Sequence, residues 1–183
     1  DITATPETFM SLYANDLRVP SLGHRRWLLD PFLKEITIGH VEGTPITGSY
    51  KNAAGNAVRV VGGPMADIDD LELPFIAYPR GDFPSNLFTK DWFLSFSVIA
   101  NTDDRYRNDD EVDFSSADIT MEDNNGNVLT ITEIMIDHTP YGLPNSLQWK
   151  APDLRNGRKY TVSISGVRVN GKTRDFEYDL SIQ

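Results

Sequence analysis

From Trp92 to the C-terminus the chain carries hydrophobicity of period two and no helical stretch. Successive side chains on a strand point to opposite faces, so WFLSFSVI, with its clean alternation, reads as a strand with one buried face. ADITMED, NVLTITEIMI, SLQWKAP, YTVSISGVRV and TRDFEYDLSI read in the same way. Asn125-Gly126 and Asn170-Gly171 fall between pairs of these runs. A two-residue hairpin turn needs positive φ at both central positions, which Asn-Gly supplies. Six or seven short strands with such turns predict an antiparallel sandwich. Leu154 and Tyr160 in PDLRNGRKYTV fit a tyrosine corner, in which a Tyr hydroxyl ties a loop backbone to its own strand.

Residues 1–88 have another texture. Phe9, Leu12, Tyr13 and Leu17 recur at three and four residues and predict a helix over 5–17, capped by Thr5 with Pro6 at its first position. Ser21 is placed to cap a second helix running to Leu29, and Pro31 stops it. The period then changes to two in KEITIGHV and NAVRVVGG, with LPFIAYP as a third, proline-bounded strand. Two helices followed by a small sheet are expected, with a boundary near residues 84–91. The predicted domains are 1–88 and 89–183.

Composition narrows the function classes. The 183 residues carry a formal net charge of −10, distributed over both halves, so no nucleic-acid partner is expected. With no cysteine, disulfides, thiol catalysis and cysteine zinc sites are excluded. No run approaches the ~20 apolar residues of a membrane-spanning helix. Gly-x-Ser-x-Gly, Gly-Lys phosphate loops and His-Glu-x-x-His are absent.

The chemistry-bearing stretch is SLGHRRWLLDP, residues 21–31. On a helix, His24, Trp27 and Leu28 share one face. His24 is then either a cleft residue able to bind metal or exchange a proton near neutral pH, or an inward histidine bonded to a backbone carbonyl. His40 alternates onto the face of Ile36 and Ile38, where it could share a zinc ion with His24, although two histidines make a poor site. Arg25 and Arg26 could hold an anion, but surface pairing with Asp16, Asp30 or Glu35 is the simpler expectation. The run 102–113, TDDRYRNDDEVD, has carboxylates for calcium but not the spacing of a calcium loop, and reads as a solvated acidic loop. His138 is expected at the surface. No resident cofactor is expected.

Gly23-His24-Arg25 before a strand with Ile38-Gly39, followed by AYPRGDFPSNLF, resembles the later part of a CAP domain of the bacterial, cysteine-free SCP-like type. The likeness covers roughly residues 5–88. It implies an α-β-α unit whose cleft is lined by two histidines and two acids. His24 matches the second histidine, and the other three groups would precede this chain. The fold class expected is therefore α+β, a truncated CAP-like unit followed by an all-β immunoglobulin- or fibronectin-like sandwich. The cleft candidates are His24, Arg25, His40 and Tyr78, the last standing where a tryptophan is expected. The resemblance implies an extracellular or cell-surface binding protein, with lipid or glycan ligands in some members. The alternatives are a metal-assisted hydrolase completed by upstream residues and a structural adhesion or spacer module. Too few helices are present to cover the sheet of residues 34–78, so self-association, or docking of an upstream segment, is expected there.

Overall fold

The computed structural model describes residues 5–44, 52–88 and 90–183. Two short α-helices, α1 (Pro6–Asn15) and α2 (Gly23–Leu28), precede eleven strands among these residues. The strands are β1 (Thr37–Gly43), β2 (Ala53–Arg59), β3 (Phe75–Tyr78), β4 (Gly81–Phe83), β5 (Leu94–Val98), β6 (Val112–Asp113), β7 (Asp118–Asp123), β8 (Thr132–Asp137), β9 (Ser146–Lys150), β10 (Lys159–Val169) and β11 (Lys172–Ile182). The chain is thus mostly β. This corrects the expected α+β class, because strands dominate the described residues and only α1 exceeds six residues among the helices.

Three sheets form. β1 and β2 make a two-stranded antiparallel ribbon. β3-β5-β9-β8 make a second sheet, and β4-β11-β10 with β6 and β7 along the far side of β10 make a third. The second and third pack face to face over one core. Phe96 of one lies 5.2 Å from Phe176 of the other, ring centre to ring centre, and Phe75 lies 5.9 Å from Phe176. The sandwich is not wholly antiparallel, since β4 runs parallel to β11. The expected division near 84–91, of which Thr89 lies outside the described residues, falls between β4 and β5. Strands from both sides of it share both sheets.

Burial is concentrated in the sandwich. The sandwich core holds 24 buried hydrophobic residues, all from Phe75 onward. Before Phe75 the buried hydrophobics among the described residues are Leu22, Phe32 and Ile68. Each large buried side chain contributes about 1.5–3 kcal/mol, so most of the apolar stabilisation among the described residues lies in the sandwich. The helices dock on the sandwich through Arg25, which bonds Phe93 and Ser95, and Arg26, which bonds Asp137 and Leu143.

The turns show where local chemistry prevails. Asn170 and Gly171 take φ of 51° and 73° and join β10 to β11 as expected. Asn125-Gly126 also sits in a tight turn, with Gly126 N–H donating to Asp123 O at 2.9 Å. Across this turn Asp123 N–H donates to Asn127 O at 2.9 Å and Leu129 N–H to Met121 O at 2.8 Å, with Glu122 opposite Val128. The expected hairpin thus forms over residues 121–129, and the rest of NVLTITEIMI crosses to the other sheet as β8, which pairs with β9 while β7 pairs with β10. The tyrosine corner is present: Arg155 N–H donates to the Tyr160 hydroxyl at 2.9 Å, and Leu154 is buried beside it.

Candidate functional site

α1 forms as its capping residues dictate. Thr5 Oγ1 accepts from Thr8 N–H at 3.3 Å, and Pro6 occupies the first helical position. The helix stops at Asn15, where Asp16 turns left-handed with φ of 51°. This ends the expected stripe early and leaves Leu12 and Leu17 exposed.

The turn at Asp16 aims its carboxylate back at α2. Oδ2 accepts from His24 N–H at 2.7 Å and Arg25 N–H at 3.3 Å. Asp16 therefore caps α2 from seven residues upstream of its first residue, a role sequence reading gave to Ser21. The same carboxylate, through Oδ1, lies 2.6 Å from His24 Nδ1. Its side chain is only 2% exposed, whereas that of His24 is 56% exposed. With Nδ1–H donating to Asp16, the neutral ring presents Nε2 as an acceptor. Tyr13 stacks on the imidazole at 5.1 Å between ring centres.

His24 lies on the wall of a cavity of about 190 Å³ shared with Tyr13, Trp27, Leu28, Val58 and Val60. The predicted face of His24, Trp27 and Leu28 thus lines one cavity, and β2 closes the opposite side. The helical spacing carried that signal. Asp16 and Tyr13 were missed as partners of His24, because a contact across the turn between α1 and α2 has no sequence period.

The other cleft candidates are elsewhere. Arg25 is fully buried. Its Nε donates to Ala14 O at 2.6 Å, Nη1 to Phe93 O at 2.6 Å and Ser95 Oγ at 3.2 Å, and Nη2 to Asn15 O at 3.1 Å. Its guanidinium lies 4.4 Å from the centre of the Tyr78 ring. Burial pushes Arg25 down to about 10, against the opposing influence of Tyr78 and Asp16. Tyr78 is itself buried, donates to Leu87 O at 2.8 Å, and has its phenol pushed up by burial. Both hold the helical segment to the sandwich, and neither lines the His24 cavity.

Arg26 is likewise buried, corrected from the expected surface position. It donates to Asp137 Oδ1 at 2.6 Å and to Leu143 O at 3.1 Å. Burial lowers its pKa, with Asp137 opposing. Asp30 is buried 2.8 Å from Arg105, and burial raises its carboxyl despite that partner. The acidic run 102–113 is therefore more than a solvated loop: it turns Arg105 inward, and buried Asn108 ties the run back to Ala100, Asn101, Asp104 and Arg105.

His40 faces Asn56 across the ribbon, packs edge-on to Phe9 at 5.8 Å and lies 3.2 Å from Glu42. It does not line the His24 cavity. His138 lies 2.7 Å from Asp109. Among the described residues no group of three or more His, Asp or Glu side chains is placed to hold a metal ion. No helix among them is long and apolar enough to cross a membrane.

No family model, curated protein or solved structure matches this chain.

Proposed function

We propose that this chain is a non-catalytic binding module of an extracellular or cell-surface protein, with a ligand cleft at His24. The observation that carries this reading is the Asp16–His24 contact on the wall of an aromatic cavity. A buried carboxylate fixes the imidazole, and Tyr13, Trp27, Leu28, Val58 and Val60 surround it with apolar surface. Small-molecule sites have this composition, apolar walls with a few fixed polar groups. The likeness of Gly23-His24-Arg25 to the CAP motif supports an extracellular setting and points to lipid or carbohydrate ligands.

Lipid and glycan arrays probed with the intact chain and with His24→Ala test this. Specific hits that His24→Ala loses are expected. Arrays without hits, or hits indifferent to His24, would favour a structural adhesion or spacer module.

The same contact favours a second reading, a hydrolase in which His24 exchanges protons or holds a metal with groups outside this chain. Zinc binding that His24→Ala abolishes, together with hydrolytic activity in a longer chain, would support it.

We further propose that a second copy of the chain docks on the β1–β2 ribbon. Ile36 and Ile38 are exposed on one face and Val41 on the other, and neither edge of the ribbon is paired with a third strand among the described residues.

A further inference from the structure

Asp16 decides what the His24 cavity offers a ligand. Its Oδ1 takes the Nδ1–H of the imidazole at 2.6 Å, so the neutral ring carries its lone pair on Nε2. Nε2 has no hydrogen-bond partner among the described residues, and it is not one of the unpaired polar atoms sealed from solvent. The His24 side chain is more than half exposed, so a donor on a ligand can reach this nitrogen.

The rest of the wall is uncharged. Tyr13 and Trp27 supply rings, and Leu28, Val58 and Val60 supply aliphatic surface. Among the described residues no carboxylate, ammonium or guanidinium lines the cavity. Arg59 stands between Val58 and Val60, but strand alternation turns it to the opposite face, where it donates to Val61 O at 3.1 Å and Gly62 O at 2.8 Å. Behind the imidazole, the Asp16 carboxylate attracts the buried Arg25 guanidinium, so these two charges offset each other. A charged ligand would give up its hydration here and gain no counter-charge.

Size narrows the choice further. The cavity holds about 190 Å³, and an apolar cavity of about 150 Å³ takes a benzene ring. A single six-membered ring therefore fits. A saccharide ring carries hydroxyls on several sides, and aliphatic walls would leave most of them unpaired. The complement is one apolar ring with one donor.

We propose that the His24 cavity binds a neutral ring alcohol of the phenol type, its hydroxyl donating to His24 Nε2 and its ring lying against Trp27, Leu28 and Val60. This rests on the reading of the cavity as a ligand cleft and narrows that cleft to a small, uncharged amphiphile, to the exclusion of glycans and anionic lipids.

The test is two-dimensional proton–nitrogen NMR of the full chain, titrated at neutral pH with phenol, anisole and benzoate. Phenol shifts the Trp27 indole N–H and the amides of α2 and β2 saturably, with a Kd on the order of 1 mM. Anisole, the same ring without a donor, binds about tenfold or more weakly, and so does benzoate, which brings a charge. His24→Phe keeps the aromatic wall, removes the acceptor and abolishes the preference for phenol over anisole. Val60→Phe fills the cavity and abolishes binding of both, while the spectrum itself reports whether each variant is folded. Four results overturn the proposal: no saturable phenol response at α2 and β2, equal affinity for phenol and anisole, benzoate binding as tightly as phenol, or a phenol preference that survives His24→Phe. Lipid- or glycan-array hits that His24→Ala loses would in each case still uphold the cleft, so failure of the ligand assignment is told apart from failure of the cleft.

Discussion

Neighbouring residues in this chain divide their roles sharply. His24 and Arg25 are adjacent on α2, yet the imidazole side chain is more than half exposed and the guanidinium lies under the helix against Phe93, Ser95 and Tyr78. Arg25 donates to three backbone carbonyls. Removing it leaves buried acceptors unpaired, and each costs about 1–3 kcal/mol. Arg25→Ala therefore destabilises the protein by on the order of 3 kcal/mol or more, measured by urea unfolding, with amide exchange rising first in α1 and α2. His24→Ala costs only about 1 kcal/mol, because Asp16 keeps its two amide donors. Equal losses from the two variants would show that the division is wrong. His24 and Trp27 were legible as partners because helical spacing places them together. The burial of Arg25 was not, since an arginine at a helix start reads as a surface residue until the sheet beneath it is known.

At the scale of elements, β5 shows what the alternating pattern can and cannot convey. WFLSFSVI implied one buried and one solvated face, but all five residues of β5 are buried. Leu94, Phe96 and Val98 point into the sandwich, while Ser95 and Ser97 face the outer side, where Arg25 docks on Ser95. Ser146 and Gln148 on β9 are buried in the same way. The helical segment therefore covers a polar sheet face, and its arginines bond Ser95, Asp137 and nearby loop carbonyls. Close approach of backbones is part of this docking. Gly142 has φ of 58°, and a Cβ there would collide with Arg26 O. Gly142→Ala is expected to cost about 2 kcal/mol or more. Gly39, on the exposed ribbon, has open space around its Cβ position, so Gly39→Ala is neutral or stabilising by a few tenths of a kcal/mol to about 1. Thermal unfolding of the two variants checks the contrast, and a costly Gly39→Ala would reveal a crowded ribbon.

The whole molecule is a sandwich with a docked N-terminal segment, and the β1–β2 ribbon is its least supported part. A lone two-stranded ribbon is marginal in water. Here it leaves Ile36, Ile38 and Val41 exposed. If a second copy covers it, the sedimentation coefficient rises with protein concentration, and Ile36→Lys with Val41→Lys returns the chain to a monomer. A strict monomer at every concentration that also fails to bind a hydrophobic dye would refute docking at this surface. The net charge of −10 opposes association at low ionic strength, so added salt is expected to strengthen it.

Local periodicity and turn chemistry were sufficient, from the sequence alone, for α1, for most strands from β5 onward, for the Asn170-Gly171 hairpin and for the Tyr160 corner. Each of these depends on residues close along the chain. The sheets that β3, β4 and β8 joined were decided by tertiary structure, as were the burial of Arg25 and Arg26 and the pairing of Asp16 with His24. Those outcomes depend on which surfaces meet across long separations. A polar sheet face and a buried arginine become compatible only when each supplies the other's hydrogen bonds.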